Sequence, residues 1–131
     1  DPDVVLIMLG SNDARSRNWK GIDVFAHDYG VMVDHYLALG STPHVLVLTP
    51  PAAFEVWGRK KLNYTIIGEA LGEIASSVRE FAGERELPLV DITSATTTRA
   101  DVFPDGVHPD VAGARLIAST AYEHLQPLLS A

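Results

Sequence analysis

The chain contains no cysteine. Disulfides, thiolate metal sites and cysteine nucleophiles are therefore excluded. Long apolar runs are also missing. The longest, at 4–9 (VVLIML), has six residues, against the roughly 20 that a membrane-spanning helix needs. No basic segment followed by a long apolar one marks a secretory leader. Positive charge is scarce: ten Lys and Arg stand against seventeen Asp and Glu, a formal charge of −7. Sequence-blind nucleic-acid binding depends on phosphate neutralisation and is disfavoured, as is an anionic membrane surface. Neutral substrates stay open. No Gly-rich phosphate loop is present, which counts against nucleotide binding. No lysine follows Lys61, which counts against a phosphoacceptor receiver. The chain opens on Asp1-Pro2-Asp3 rather than on Met and enters a strand at once. That reads as a start inside a larger domain.

What is present describes one globular α/β domain over 1–131, expected to be N-terminally incomplete. The length suits a single core. Three short apolar runs, at 4–9, 44–49 (HVLVLT) and 88–92 (PLVDI), are bounded by Pro and Gly. The first two are continuous and rich in β-branched residues, as in strands buried on both faces of a parallel sheet. Helical spacing lies between the runs. Phe25, Tyr29, Met32, Val33, Tyr36 and Leu37 form one stripe, with Asp23 as expected N-cap and Gly40 as the glycine that stops it. Ile67, Leu71, Ile74, Val78 and Phe81 form a second, with Asn63 as candidate cap. Val111, Ala114, Ile117, Ala121, Leu125 and Leu128 form a third, capped by Asp110. The order β-α-β-α-β-α implies parallel strands and right-handed crossovers.

Irregular stretches are expected at 10–22, 50–62 and 93–109, each following a strand. Loops beyond the carboxyl ends of parallel strands form the ligand crevice of such sheets. The first begins Gly10-Ser11-Asn12-Asp13 and the last contains Asp105-Gly106-Val107-His108-Pro109. An Asp three residues before a His can hold the imidazole in one tautomer and stabilise the imidazolium formed during proton transfer. By itself the segment reads more simply as a turn. An Asn just past a strand end can aim its amide at a developing oxyanion. By itself that segment is an Asx-type turn.

Together, Gly-x-Asn-Asp after a buried strand and Asp-x-x-His before the last helix resemble the SGNH (GDSL-type) hydrolase family. The segments VVLIMLGSNDARSRNW, TPPAAF, LPLVDI and FPDGVHPDVAGARLIA look like carbohydrate acetylesterases of that family, of the sialate O-acetylesterase-like kind. The resemblance runs from residue 3 to about 125. It implies a flavodoxin-like three-layer α/β/α fold with a parallel sheet in the order 2-1-3-4-5. It implies a serine-dependent carboxylic ester hydrolase without metal or cofactor, acting on a carbohydrate ester. His108 would be general base and then acid, Asp105 its orienting partner, Asn12 an oxyanion donor, and Gly10 the residue whose turn presents Asn12. The family's Gly-Asp-Ser nucleophile and second oxyanion glycine lie on earlier segments not found here. The three strands present would be the contiguous 3, 4 and 5. The apolar run at 4–9 would then be an open edge, covered by a second copy or by a separate chain carrying the Gly-Asp-Ser segment.

Other residues carry two readings each. Trp19 and Trp57 lie on crevice loops and either stack on a sugar or anchor their loops to the core. Arg15 and Arg17 either bind a substrate carboxylate or serve the surface. Arg59-Lys60-Lys61 is a solvated face more readily than an anion site. Thr93 and Ser94 lie on the correct sheet edge, with neither singled out as a nucleophile; Ser11 and Ser16 have little to recommend them. Asp91 reads as a cap. His27, His35, His44 and His124 lack metal-ligand spacing. The competing function is a non-catalytic flavodoxin-like binding or association module.

Overall fold

The structure, a computed structural model, describes residues 1–56, 66 and 68–130. Its elements run β1 (Val4–Met8), α1 (Ile22–Leu37), β2 (His44–Leu48), α2 (Gly68–Glu84), β3 (Leu89–Val90), α3 (Ile92–Thr96), a 3-10 turn (Ala100–Val102) and α4 (Val111–Leu129). The strands form one parallel sheet in the order β1-β2-β3, as the three contiguous strands require. Asn63, Ile67, Trp57 and Arg59-Lys60-Lys61 lie outside the described residues.

Alternation along the strands sorts the core into two layers. Val45 and Val47 of β2, with Ile7 of β1, face Phe25, Tyr29 and Val33 of α1 and Ile74 and Val78 of α2. Leu46, Leu48 and Val90 face the other way, against Ile92 and Ala121, with Ile117, Leu125 and Leu128 packed alongside. Helices therefore cover both faces of β2, whose residues 45–48 are all buried.

β1 departs from the expected double burial. Among the described residues it pairs only with β2, and Leu6 and Met8 are 44% and 38% exposed. On the face they share, Val4 packs against the α4 layer while Leu6 and Met8 stay exposed; on the opposite face Ile7 is buried.

Several helix boundaries also differ from the sequence pattern. The N-cap of α1 is Gly21, and Asp23 sits in the first turn, where its charge complements the helix dipole. The helix closes at Ala38, two residues short of Gly40, so Gly40 is not the stopping residue. Leu37 falls off the buried stripe. Asp110 does cap α4, accepting the Gly113 N–H at 2.9 Å. Yet Val111 and Ala114 are exposed, and the packed stripe begins only at Ile117. The stretch 93–109 is partly regular: Asp91 accepts the Ser94 N–H and starts α3 directly after β3, and a 3-10 turn follows at Ala100–Val102.

Candidate active site

Both chemistry-bearing loops leave the carboxyl edge of the sheet. The first is a compact series of turns. Ala14 N–H donates to the Gly10 carbonyl at 2.9 Å, and the Asn12 carbonyl receives Arg15 N–H at 3.4 Å and Asn18 Nδ2 at 2.7 Å. These bonds hold the Asn12 backbone and leave its side chain exposed. Gly10 itself is buried, with φ +123°, and a Cβ there would stand 2.6 Å from Ile74 Cγ2. It forms the turn that presents Asn12, at a place where a side chain has neither a relaxed backbone nor room.

Beside that loop lies a cavity of about 350 Å³, lined among others by Asn12, Asp13, Arg17, Trp19, Lys20 and Asp28. Trp19 anchors its loop to the core, as one of its two readings expects, and it also borders the cavity. Arg15 is half-buried, its backbone bridging to Ile66.

The second loop is organised by one carboxylate. Asp105 Oδ1 accepts the N–H groups of His108 and Val107 at 2.6 and 2.8 Å, and Oδ2 meets His108 Nδ1 at 2.6 Å. The His108 backbone N–H stabilises the charged form most; desolvation opposes it, and the His108 ring and the Val107 N–H add further stabilisation that prevails. Together these bonds hold the Asp105 carboxyl well below the usual carboxylate range. An ionised Asp105 fixes the ring tautomer with hydrogen on Nδ1, so proton exchange falls to Nε2. The His108 side chain is 67% exposed, clear of the core.

Gly106, at φ +84°, makes this turn possible. A Cβ there would collide with the Phe54 carbonyl oxygen. Phe54 N–H donates to the Gly106 carbonyl at 2.8 Å, and the Phe54 ring lies 5.5 Å from that of Phe103. The segment 50–54 thus braces the loop, a function the sequence pattern did not reveal. Its signals there were a Pro-Pro pair following a strand and the family resemblance of TPPAAF, neither of which points to a brace.

The remaining candidates occupy structural places. Asp91 caps α3 and pairs with Arg79 at 3.0 Å. Ser94 Oγ donates to Asp91 and Thr93 Oγ1 to the Pro50 carbonyl, at 2.7 and 2.6 Å, so neither hydroxyl donates to His108. His27, His35, His44 and His124 are exposed. No cluster of three or more metal-ligating side chains occurs among the described residues.

A parallel three-layer α/β/α sheet, with an Asp–His pair on a loop at its carboxyl edge, is the architecture of the flavodoxin-like SGNH hydrolases. Residues 1–116 match the GDSL-like lipase/acylhydrolase family, and the chain belongs to that family. Among curated proteins it is similar to an acetylxylan esterase of Xylanibacter ruminicola, 29% identical over 136 residues, covering 89% of this chain and 27% of that protein. Among solved structures it is similar to a lipase/acylhydrolase from Enterococcus faecalis, with TM-score 0.78 and 25% identity over 96% of this chain and 62% of the other. An aryl esterase of M. smegmatis gives TM-score 0.77 and 27% identity, over 96% and 61%. The chain therefore spans about a quarter of the curated relative and less than two thirds of the solved ones.

Proposed function

We propose that this chain is the part of a serine-dependent carbohydrate acetylesterase that carries the general base and one oxyanion donor. The observation carrying the proposal is the His108–Asp105 hydrogen bond, in a member of the GDSL-like family. The serine belongs to a Gly-Asp-Ser segment outside these 131 residues. Its Oγ attacks the acetyl carbon as His108 Nε2 takes its proton, and Asn12 stabilises the tetrahedral oxyanion. When the intermediate collapses, His108 gives that proton to the leaving sugar oxygen. Water, deprotonated by the same nitrogen, then attacks the acetyl-serine carbon; the bond to serine Oγ breaks as His108 returns the proton to that oxygen, and acetic acid leaves. Asp105 stays ionised throughout.

The name of the Xylanibacter relative supports a neutral, acetylated sugar polymer as substrate. The cavity beside Asn12 supports it too: Arg17 and Lys20 are balanced there by Asp13 and Asp28, and Trp19 supplies an aromatic wall. Arg15 is not among the residues lining that cavity, so no substrate contact is assigned to it.

Hydrolysis of an aryl acetate tests the reading. The 131-residue chain alone should be no faster than a generic protein surface. Joined to a segment carrying Gly-Asp-Ser, it should turn over, and His108→Ala should lower kcat by at least about 10³-fold. His108-dependent turnover by the chain alone would show the nucleophile to be misplaced. Activity of the joined protein that ignores His108 would overturn the catalytic reading. No activity from the joined protein would favour an association module.

A further inference from the structure

Between the sheet and the His108 loop runs a series of polar contacts that the proposed chemistry does not use. Thr49, fully buried just after β2, donates to Asp91 Oδ1 at 3.0 Å and accepts the Thr93 N–H at 2.9 Å. Thr93 returns a bond to the Pro50 carbonyl. Thr96, also fully buried, donates to the Ile92 carbonyl at 2.7 Å and accepts the Ala52 N–H at 2.9 Å. Two residues further, Phe54 N–H holds the Gly106 carbonyl. The adjoining residue, Asp105, holds His108.

We propose that Thr96 is a positioning residue for His108. Its hydroxyl fixes the 50–54 segment through Ala52, and that segment fixes the loop bearing Asp105 and His108 through Phe54 and Gly106. The proposal rests on the reading of Asp105 and His108 as the catalytic pair. Four features make the coupling tight. The Thr96 hydroxyl is buried, so no water can replace it as acceptor for the Ala52 N–H without rearrangement. Pro50 and Pro51 fix φ at the start of the segment and limit how it can relax. Only Ala53 separates the two anchored residues, so a shift at Ala52 passes to Phe54. The Phe54 carbonyl already occupies the space a Gly106 side chain would need, so the loop follows the segment.

Thr96→Val keeps the shape and removes the acceptor; Thr96→Ser keeps the acceptor. In the full-length protein, Thr96→Val should lower kcat for an aryl acetate about ten- to a hundredfold, the cost of misplacing a reacting group by a fraction of an ångström to one ångström. KM should stay within about twofold, and Thr96→Ser should restore most of kcat. By NMR, Thr96→Val should speed exchange of the Phe54 amide and weaken the low-field proton signal of the Nδ1 hydrogen bond. If Thr96→Val does not fold, Ala52→Pro, which deletes the donor and leaves Thr96 intact, should give the same pattern. An unchanged kcat, or a loss that Thr96→Ser does not rescue, would overturn the proposal. If His108→Ala leaves hydrolysis intact, the catalytic reading falls. The Phe54 exchange and the His108 proton signal would then decide separately whether Thr96 positions the loop.

Discussion

Asp105 shows why the two readings of its segment, turn and catalytic partner, are not alternatives. One oxygen closes the turn on two backbone N–H groups while the other orients the imidazole. The turn itself brings the ring to the carboxylate. Asp91 uses a carboxylate differently. Partial burial raises its pKa, but bonds from Arg79, Ser94 and Thr49 prevail and lower it to about 2. A depressed carboxylate contributes stability that is whole above its unfolded pKa, near 4, and is lost as pH falls through the folded value. Since about a third of each side chain in the Arg79 pair meets water, screening holds this contribution to about 1–2 kcal/mol. Asp91→Asn should therefore cost about that much at pH 7. The deficit relative to the parent chain should shrink between about pH 4 and pH 2. Urea unfolding across that range measures both, and a deficit constant with pH would refute the assignment.

At the scale of elements, long amphipathic helices were legible and their ends less so. Three- and four-residue spacing identified α1, α2 and α4, because a 16- to 19-residue helix repeats its buried stripe several times. α3 has five residues, too few to show a period, and it was hidden in a stretch read as irregular. Its start depends on the Asp91 cap, which is local, and on burial of Thr96, which is not. The end of α2 was equally hidden. Leu87 N–H reaches the Ala82 carbonyl and Glu86 N–H the Gly83 carbonyl, with Glu86 at φ 53°. This is the Schellman pattern, with glutamate where glycine is usual. A left-handed residue with a Cβ costs roughly 1–2 kcal/mol. Glu86→Gly should accordingly stabilise the protein by about 1 kcal/mol, read as a rise in the denaturant midpoint at unchanged slope. A loss of stability would mean that the Glu86 side chain contributes more than its backbone costs.

For the whole molecule, the governing feature is the unequal covering of the sheet. β2 is sealed on both faces and β1 on one. Among the described residues, β1 presents an unpaired edge together with the exposed Leu6, Met8 and Leu9. Such an edge is a template for another strand. We infer that it is covered in the working protein, by a strand from the segment that carries the serine or by a second copy of this chain. The isolated 131-residue chain should associate in light scattering. Leu6→Lys combined with Met8→Lys should weaken association by tenfold or more, since each buried apolar side chain contributes about 1.5–3 kcal/mol. A monodisperse 14.2 kDa species for the parent chain would contradict self-pairing.

The sequence by itself determined the class of fold, the parallel order of the strands, and the two motifs at the carboxyl edge. The α/β class and the parallel strands follow from local periodicity, whereas the strand order and the joining of the two motifs came from the family resemblance. Tertiary structure alone decided which face of β1 is covered, since alternation in 4–9 is invisible when every residue is apolar. It also decided that Trp19 serves cavity and core together, and that 50–54 braces the Gly106 turn. Those outcomes depend on contacts between different segments, which for Phe54 and Gly106 lie some fifty residues apart. Burial and hydrogen bonding across that separation leave no periodic trace in either segment.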